Sequence, residues 1–271
     1  MQQPPLVIFL SPHFDDIALS CGGVAARLSR MGARCIGVTI FTAPAPEGVD
    51  LSPFAANMHA EWERSGGGTA RAVNEVRREE ERAAMRLLNL EPMWLDLPDA
   101  PYRRGQDGRF LYTSNHELMG RAAAEERRSL VPWIANQISR VVAESGLKGR
   151  VRLFAPLGVG HHVDHQLAFW AARRLGPRFG VLFYEDYPYV ARQGALESRL
   201  IQLGVPMQAS ITPITDLIGV KIAAIARYKS QLSGLFESAD DMPRAVRAYA
   251  ASVAGDPMDA EYAERVWRPQ P

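Results

Sequence analysis

Cysteine is scarce in this sequence, charge is nearly balanced and no apolar run is long. The two thiols, Cys21 and Cys35, are too few for a disulfide framework in a chain of 271 residues, so we expect free thiols and a cytoplasmic protein. The net charge of +1 provides no field for nucleic acid or for a membrane surface. Every apolar run is shorter than the roughly 20 residues that span a bilayer, and the N-terminus lacks the basic region and cleavage site of a secretory signal. The sequence thus argues against a nucleic-acid partner and against a membrane span.

Apolar segments typical of buried strands alternate with segments whose apolar residues recur at helical spacing. The predicted strands are 5–11, 33–42, 92–99, 150–160 and 180–189, with a weaker sixth at 209–215. The predicted helices are 15–32, 73–90, roughly 132–144, 162–175, 193–203, 216–232 and 240–255. This alternation predicts a Rossmann-like three-layer α/β fold with a mostly parallel sheet, strand order 3-2-1-4-5 and C-terminal additions. No internal repeat or low-complexity linker interrupts it, so we expect a single domain over residues 1–271.

Two long segments interrupt the alternation, at 43–73 and at 101–116. The first is rich in Pro, Gly and Ala, has three consecutive glycines at 66–68 and contains a short predicted helix around 54–62. Long loops in compact domains are usually functional, and a segment after the second strand lies at the carboxyl rim of the sheet. We therefore expect 43–73 to act as a mobile lid that contacts substrate, with a structural arm as the alternative.

Clusters of ionisable residues follow the first and the fourth predicted strands. The first turn reads "PHFDD" at 12–16, and the second reads "GVGHHVDH" at 158–165. In a sheet of the predicted order these two strands are neighbours where the strand order reverses, and ligands bind beyond the carboxyl ends of the strands at that point. The two clusters are therefore expected to face each other across one crevice.

The spacing within each cluster suits a metal site. His13 precedes Asp16 by three residues and His162 precedes His165 by three, which places the second residue of each pair in the first turn of a helix. Two imidazoles and one carboxylate with an open position match a catalytic zinc site, where the metal activates water and polarises a carbonyl. Asp15 could take the proton from that water, and a further histidine could stabilise the oxyanion or protonate the leaving amine.

Other interpretations of these residues have less support. Asp15 and Asp16 alone would suit a helix N-terminus, where acids cap the helix and complement its dipole, but capping does not explain His13 or the second cluster. A nucleotide-binding Rossmann domain shares the topology, yet the first turn lacks G-x-G-x-x-G and carries acids where a pyrophosphate would lie. A Cys–His nucleophile would need Cys21, whose position in the middle of a helix favours a packed thiol.

The two turns together resemble the signature of the PIG-L/LmbE-like metal-dependent N-deacetylases. The resemblance rests on "PHFDD" followed by "GG" at 22–23 and on "HVDH" at 162–165. Weaker similarities extend it over most of the chain: "YEDYPY" at 184–189, "KIAAIARYKSQ" at 221–231, and a helix with Arg77, Glu80 and Ala84 in place and Asn89 where the family has glycine.

The resemblance implies a role for each matching residue. The zinc ligands would be His13, Asp16 and His165, with another divalent metal such as Fe²⁺ able to replace zinc. The catalytic residues would be Asp15 as general base, His162 as the oxyanion-stabilising or acid histidine, and Asp164 as the partner that orients a neighbouring histidine. His161 is the second choice for either role of a histidine.

The expected substrate contacts are Arg77, on the predicted helix 73–90, and Tyr102 and Arg103, in the long segment 101–116. Trp62 and Arg104 of the two long segments are further candidates, and all four residues of these segments would equally suit an exposed loop surface. Arg77 suits equally an ion pair on the helix surface with Glu80 or Glu81. Some family members carry a tyrosine two residues before the first histidine of the second motif, where this chain has Gly160. An assisting tyrosine would therefore come from elsewhere, such as Tyr184 or Tyr187.

These features predict a zinc-dependent hydrolase that acts on a linear amide bond. The expected reaction removes an N-acyl group, most simply acetyl, from an N-acetylglucosamine-type substrate, so the partner would be a small N-acylated sugar or sugar conjugate. A homo-oligomer stays open. The alternative is a non-catalytic sugar-binding or regulatory protein on the same fold, against which the intact ligand set and Asp15 speak.

Overall fold

A computed structural model describes residues 4–66, 69–147, 151–238, 240–255 and 260–270, and for 61–66 only the backbone. The strands are β1 Leu6–Ser11, β2 Arg34–Thr39, β3 Glu91–Trp94, β4 Val151–Pro156, β5 Gly180–Tyr184, β6 Met207–Pro213 and β7 Ala263–Pro269. The helices are α1 Asp16–Arg30, α2 Pro53–Gly66, α3 Ala70–Leu88, α4 Asn115–Leu118, α5 Ala124–Glu144, α6 Val163–Leu175, α7 Ala195–Leu203, α8 Ile218–Ile225, α9 Lys229–Leu235 and α10 Met242–Ala254.

The strands form one sheet in the order β3-β2-β1-β4-β5-β7-β6. The first five strands are parallel and follow the predicted order 3-2-1-4-5. Strand β7 then pairs antiparallel with β5 and with β6, which extends the sheet beyond the prediction. Strand β6 overlaps the predicted sixth strand, whereas β7 was not predicted, because the charged residues of "AERVWRP" mask its alternation.

Strand β1 lies at the centre of the sheet and is buried along its whole length. Helices α1, α3 and α8 pack together in one layer, and α5 and α6 pack together in another. A strand covered on both faces reads as a continuous apolar run, which is why "LVIFL" is visible in the sequence. This confirms the predicted three-layer α/β fold.

Several helices differ from their predicted bounds. The segment 43–73 contains the 14-residue helix α2 and the start of α3, so it is more ordered than the expected loop. The predicted helix 216–232 is two helices, α8 and α9, and α5 begins at Ala124, with Pro132 inside it. None of the helices in the described ranges combines the length and the hydrophobicity needed to cross a bilayer.

Both cysteines are buried and free. Burial, with a smaller contribution from Glu264, raises the pKa of the Cys21 thiol well above its usual range. Because a nucleophilic cysteine needs an accessible thiolate, the structure argues against the Cys–His alternative.

Helix α1, whose first residue is Asp16, is kinked at Cys21, where φ is −140° and ψ is 24°. The kink releases backbone N–H groups, and the buried carboxylate of Glu264 in β7 accepts from Gly23 at 3.0 Å and from Val24 at 2.6 Å. Lys221 of α8 donates to the same carboxylate at 2.6 Å. The C-terminal elements therefore hold the helix that begins at the predicted metal site.

We predict that Glu264→Ala lowers the free energy of unfolding by about 3–5 kcal/mol, because it leaves the Lys221 ammonium buried without its partner. Chemical denaturation followed by circular dichroism measures this change. The control is Glu91→Ala, which removes an ion pair with Arg34 whose side chains are 55% and 37% exposed and should cost less than about 1 kcal/mol. Equal losses in the two variants would contradict the role given to Glu264.

Candidate metal centre

The turn after β1 is held by its own polar groups. The Ser11 hydroxyl donates to the His13 carbonyl at 2.7 Å, and the His13 backbone N–H donates to Asp16 Oδ2 at 2.8 Å. Asp15 adopts φ 95° and ψ −29°, a positive φ that non-glycine residues rarely adopt. These contacts bring the side chains of His13 and Asp16 close together.

The turn after β4 is held from the neighbouring strand. Asp186, two residues beyond β5, accepts backbone N–H groups of Gly158 at 2.8 Å and Val159 at 2.9 Å through Oδ2. Gly160 has φ 86°, and a Cβ there would lie 2.7 Å from Cβ of Tyr189. The tyrosine after β5 thus occupies the space next to this glycine.

The expected ligand atoms converge where the two turns meet. Asp16 Oδ2 lies 3.7 Å from His13 Nδ1, and Asp16 Oδ1 lies 3.5 Å from His165 Nε2. Ligand atoms about 2.0–2.1 Å from a tetrahedral zinc ion are about 3.4 Å apart. The two separations from Asp16, one at each of its oxygens, are close to this value.

A second set of three ligands competes with this one. Ring nitrogens of His13, His162 and His165 all lie within 4.8 Å of one another, so geometry alone would also allow a three-histidine site. The two sets differ in whether Asp16 or His162 provides the third ligand atom. The hydrogen bonds of the rings distinguish them.

Hydrogen-bond partners determine which nitrogen of each neutral ring is free. His165 Nδ1–H donates to Asp186 Oδ1 at 2.7 Å, and His13 Nε2–H donates to Asp164 Oδ2 at 3.0 Å. The lone pairs of His165 Nε2 and His13 Nδ1 therefore face Asp16, in the carboxylate–histidine arrangement typical of metal ligands.

His162 has the opposite arrangement. Its Nδ1 accepts the Asp164 backbone N–H at 3.2 Å, so the neutral ring carries its proton on Nε2. Burial, helped by His13, lowers the pKa of His162 well below its usual range, which favours the neutral ring. His162 is therefore a hydrogen-bond donor rather than a ligand, which favours the set His13, Asp16 and His165.

The surrounding carboxylates favour positive charge at this point. Burial lowers the pKa of His13, but Asp99 and Asp164 outweigh it and leave the pKa well above its usual range. Burial likewise lowers the pKa of His165, and Asp16 with Asp186 raises it above the usual value. A proton or a cation would satisfy this excess of negative charge.

Asp15 is buried beside the ligands and differs from them electrostatically. Burial and then the neighbouring Asp16 raise its pKa well above the usual range, although Arg77 and His13 oppose the shift. A carboxylate with a raised pKa is a stronger base, as a general base requires. Its position in the same cavity as the ligands permits that role.

A cavity of about 140 Å³ lies over these residues. Its polar lining contains Arg77, Asp99 and Gln231, in addition to the acids and histidines described above. Its apolar lining consists of Leu19, Met58, Tyr187, Pro188, Tyr189 and Leu235. The cavity can thus form hydrogen bonds and also pack against an apolar group.

The predicted substrate residues separate into two groups. Arg77 lines the cavity, lies 5.2 Å from the Phe14 ring centroid and donates to Gln231 at 3.3 Å. Tyr102 is buried beside His59, with 3.3 Å between the hydroxyl and Nδ1, and lines adjoining cavities instead. Arg103 is also buried, and its guanidinium forms ion pairs with Glu126 and Asp164. Arg103 lines the neighbouring cavity rather than the one over the expected ligands, and its contact with substrate stays a prediction.

The two acids suggested as surface partners of Arg77 have other hydrogen-bond partners. Glu80 accepts from Ser230, and Glu81 accepts from Thr39 and Tyr228. These hydrogen bonds are buried or partly buried. His161 does not line the cavity. Arg104 is exposed and donates to the backbone carbonyls of Gly108 and Asp50. The side chain of Trp62 and the glycines at 67–68 lie outside the described residues.

Sequence reasoning missed Asp99, Asp186 and Tyr189. The two aspartates follow β3 and β5, so the rule that pointed to the ends of β1 and β4 could have found them. The expected Tyr184 does not reach the cavity, because its hydroxyl donates to the Leu10 carbonyl at 2.7 Å. Tyr187 does line the cavity, as does Tyr189.

Comparison with known proteins identifies relatives along most of the chain. Residues 8–175, which include both motifs, match the family model described as PIG-L: GlcNAc-PI de-N-acetylase. A 2'-N-acetylparomamine deacetylase of Streptomyces fradiae is 32% identical over 97% of this chain and 90% of that protein. One of the same name from Niallia circulans is 29% identical over 84% and 82%. The crystal structure of the zinc-inhibited form of teicoplanin deacetylase Orf2 is 25% identical, covers 97% of both chains and has a TM-score of 0.78.

We predict that Asp186→Asn lowers the affinity for Zn²⁺ by about 10–100-fold. The carboxylate accepts from His165 on one oxygen and from two backbone N–H groups on the other, and an amide would turn its own N–H₂ towards one of these donors. Competition with a chromophoric chelator measures the affinity. The control is Asp96→Asn, at an exposed carboxylate paired with Arg78; an unchanged affinity in Asp186→Asn would refute the predicted role.

Proposed function

The chain belongs to the PIG-L family of de-N-acetylases, and we propose that it is a metal-dependent hydrolase that removes acetyl from an N-acetylglucosamine-type unit of a small-molecule conjugate. The observation that carries this proposal is the donor set of His13, Asp16 and His165 beside Asp15, in which the free nitrogen of each histidine lies near one oxygen of Asp16. We further propose that residues 1–271 form one domain, because β6 and β7 extend the same sheet as the family match.

The donor set supports a divalent cation as cofactor. Two imidazole nitrogens and one carboxylate oxygen suit Zn²⁺, and Fe²⁺ accepts the same ligand types. When bound, such a cation supplies Lewis acidity to the amide carbonyl and to water. The Orf2 relative, described as a zinc-inhibited form, supports an interaction of this fold with zinc.

Two residues have separate roles in the reaction: Asp15 transfers the proton and His162 stabilises the carbonyl oxygen. Asp15 takes a proton from the attacking water as its oxygen bonds to the amide carbon. His162 donates its Nε2–H hydrogen bond to the carbonyl oxygen as negative charge develops there. Asp15 then returns the proton to the leaving nitrogen as the C–N bond breaks, which yields acetate and the free amine.

The conformation of Asp15 supports turnover rather than mere binding. A positive φ at a non-glycine residue costs about 1–3 kcal/mol and tends to be retained at functional sites. A sugar-binding protein without activity would have no need of a strained, buried carboxylate beside the metal ligands. The catalytic proposal is therefore preferred to the non-catalytic alternative.

The substrate class rests on the relatives and on the lining of the cavity. The named relatives deacetylate acetylparomamine and teicoplanin, and we propose an N-acetylated sugar conjugate for this chain as well. Arg77, Asp99 and Gln231 offer hydrogen bonds to sugar hydroxyls, while Tyr187 and Tyr189 offer faces for packing against the ring or the acyl group.

A panel of N-acetylated sugars tests the proposal, with free amine as the readout. It should contain N-acetylglucosamine, 2'-N-acetylparomamine and an N-acetylglucosaminyl phospholipid. We expect amine release from at least one of them, lost after treatment with a chelator and recovered with Zn²⁺ or Fe²⁺. Binding of a sugar without release of amine would favour the non-catalytic alternative.

We predict one divalent cation per chain and different effects of two substitutions. His165→Ala should remove the metal, because it removes a ligand nitrogen. Asp15→Asn should retain the metal and lower kcat by about 10²–10⁴-fold, because it removes the base. Metal analysis together with steady-state kinetics separates the two cases, and equal metal loss would show that Asp15 is itself a ligand.

The expected closure of 43–73 over substrate stays a prediction, now centred on α2, which brings Met58 to the cavity. Met58→Ala should raise KM while metal content stays unchanged, because the side chain contacts substrate and not the cation. The matched control is Met31→Ala, at a methionine 74% exposed on the surface. Hydrogen exchange of residues 53–60 should slow when substrate binds; strong protection without substrate would favour a structural arm.

A further inference from the structure

Arg103 is a buried cation between two buried carboxylates. Its Nη2 lies 2.6 Å from Asp164 Oδ1 and its Nε lies 2.5 Å from Glu126 Oε1, while Nη1 donates to the Pro98 carbonyl at 3.2 Å. Only 6% of the side chain is exposed. A solvent-facing substrate contact would not need two acidic partners, so this environment calls for another explanation.

The guanidinium is also held on its faces. Its central carbon lies 4.9 Å from the Phe41 ring centroid and 5.6 Å from that of Tyr112. The Tyr112 hydroxyl donates to Glu126 at 2.5 Å. Contacts from several directions therefore fix the orientation of the guanidinium plane, and with it the position of the charge that Asp164 and Glu126 face.

One of the two carboxylates paired with it sets the tautomer of His13. Asp164 uses Oδ1 for the ion pair with Arg103 and Oδ2 to accept the His13 Nε2–H at 3.0 Å. The buried guanidinium therefore lies against one oxygen of the carboxylate whose other oxygen accepts from His13.

We propose that Arg103 is a positioning residue of the metal centre, which acts through Asp164 on the orientation and tautomer of His13. The chain of contacts is Arg103 to Asp164, Asp164 to His13, and His13 Nδ1 to Asp16 Oδ2. The inference rests on the proposed function for its effect on turnover, whereas its effect on metal binding does not depend on which substrate is used.

The first test compares Arg103→Met with Arg103→Lys by chelator competition for Zn²⁺. We expect affinity to fall by about 10–100-fold in Arg103→Met, as for other partners of ligand groups, and by less in Arg103→Lys, which keeps a charge beside Asp164. Arg109→Met is the control, because Arg109 lies on the same segment, is 88% exposed and pairs with Asp107. An affinity unchanged in both variants of Arg103 would overturn the proposal.

The second test separates positioning from substrate contact and from stability. With saturating Zn²⁺ we expect kcat to fall in Arg103→Met while KM stays within about threefold of the parent value. A rise in KM with unchanged metal affinity and kcat would show that Arg103 contacts substrate. A lower Tm with unchanged affinity and kcat would show that its role is structural.

Two further variants isolate the contact with Asp164. Glu126→Gln removes the other carboxylate charge and leaves the Arg103–Asp164 pair, so metal affinity should stay near that of the parent. A loss of affinity equal to that in Arg103→Met would contradict the proposed chain of contacts.

A cavity of about 780 Å³ beside Arg103 gives small cations access, so millimolar guanidinium should restore the Zn²⁺ affinity of Arg103→Ala. The proposal would be refuted if guanidinium restored no Zn²⁺ affinity to Arg103→Ala and if Arg103→Lys bound Zn²⁺ no better than Arg103→Met.

The readouts also keep this proposal distinct from the function itself. A parent protein that binds Zn²⁺ but releases no amine from any sugar would contradict the proposed deacetylation, while the comparison of affinities would still decide the role of Arg103.

Discussion

A buried charge must have a partner, and this constraint governs the centre of the protein. Four aspartates, Asp15, Asp16, Asp164 and Asp186, are buried beyond the ends of β1, β4 and β5. Since desolvated carboxylates are unstable alone, histidine N–H groups, backbone N–H groups and two arginines, Arg77 and Arg103, surround them. The hydrogen bonds that satisfy these acids also determine which histidine nitrogens keep free lone pairs. The same hydrogen bonds thus compensate the buried charges and orient the histidines of the proposed metal site.

The acids differ in what compensates them, and this separates their roles. Asp186 accepts from His165 and from two backbone N–H groups, and Asp164 accepts from His13 and faces Arg103. Each of them contacts a proposed ligand histidine at the ring nitrogen that does not face Asp16. Asp15 has weaker compensation, since burial and Asp16 outweigh Arg77 in raising its pKa. Two adjacent residues of one motif, Asp15 and Asp16, can therefore serve as base and ligand because their surroundings differ.

The C-terminal part of the chain supports this centre although it contributes no ligand to the proposed set. Glu264 and Lys221 satisfy the backbone of α1 where it kinks, and α9 supplies Gln231 and Leu235 to the cavity wall. These elements follow the segment 8–175 that matches the family model. The family match thus covers the proposed ligands, while the remainder of the chain stabilises the helix that begins at Asp16 and shapes the space for a substrate.

Much of the fold and the centre of the site could be predicted from sequence, because their signals are local. Buried parallel strands leave continuous apolar runs, and the first turns of α1 and α6 carry their ionisable residues at fixed spacing. These features were enough to predict the order 3-2-1-4-5, which the structure confirms, and the family resemblance, which the relatives confirm. The pairing of "PHFDD" with "HVDH" was predictable as well, since strand order alone makes the ends of β1 and β4 neighbours.

Only the tertiary structure decided the groups whose partners are distant in sequence. Arg103 and Asp164 are 61 residues apart, counted from their positions, and nothing near Arg103 in the sequence reveals that it is buried beside Asp164, whose other carboxylate oxygen accepts from His13. The same holds for Asp186 under His165, for Tyr189 beside Gly160 and for β7, whose charged residues conceal a strand. Burial and ion pairing are properties of the packed molecule, so the sequence determined which chemistry is present, and the fold determined which residues face the cavity and which hold them in place.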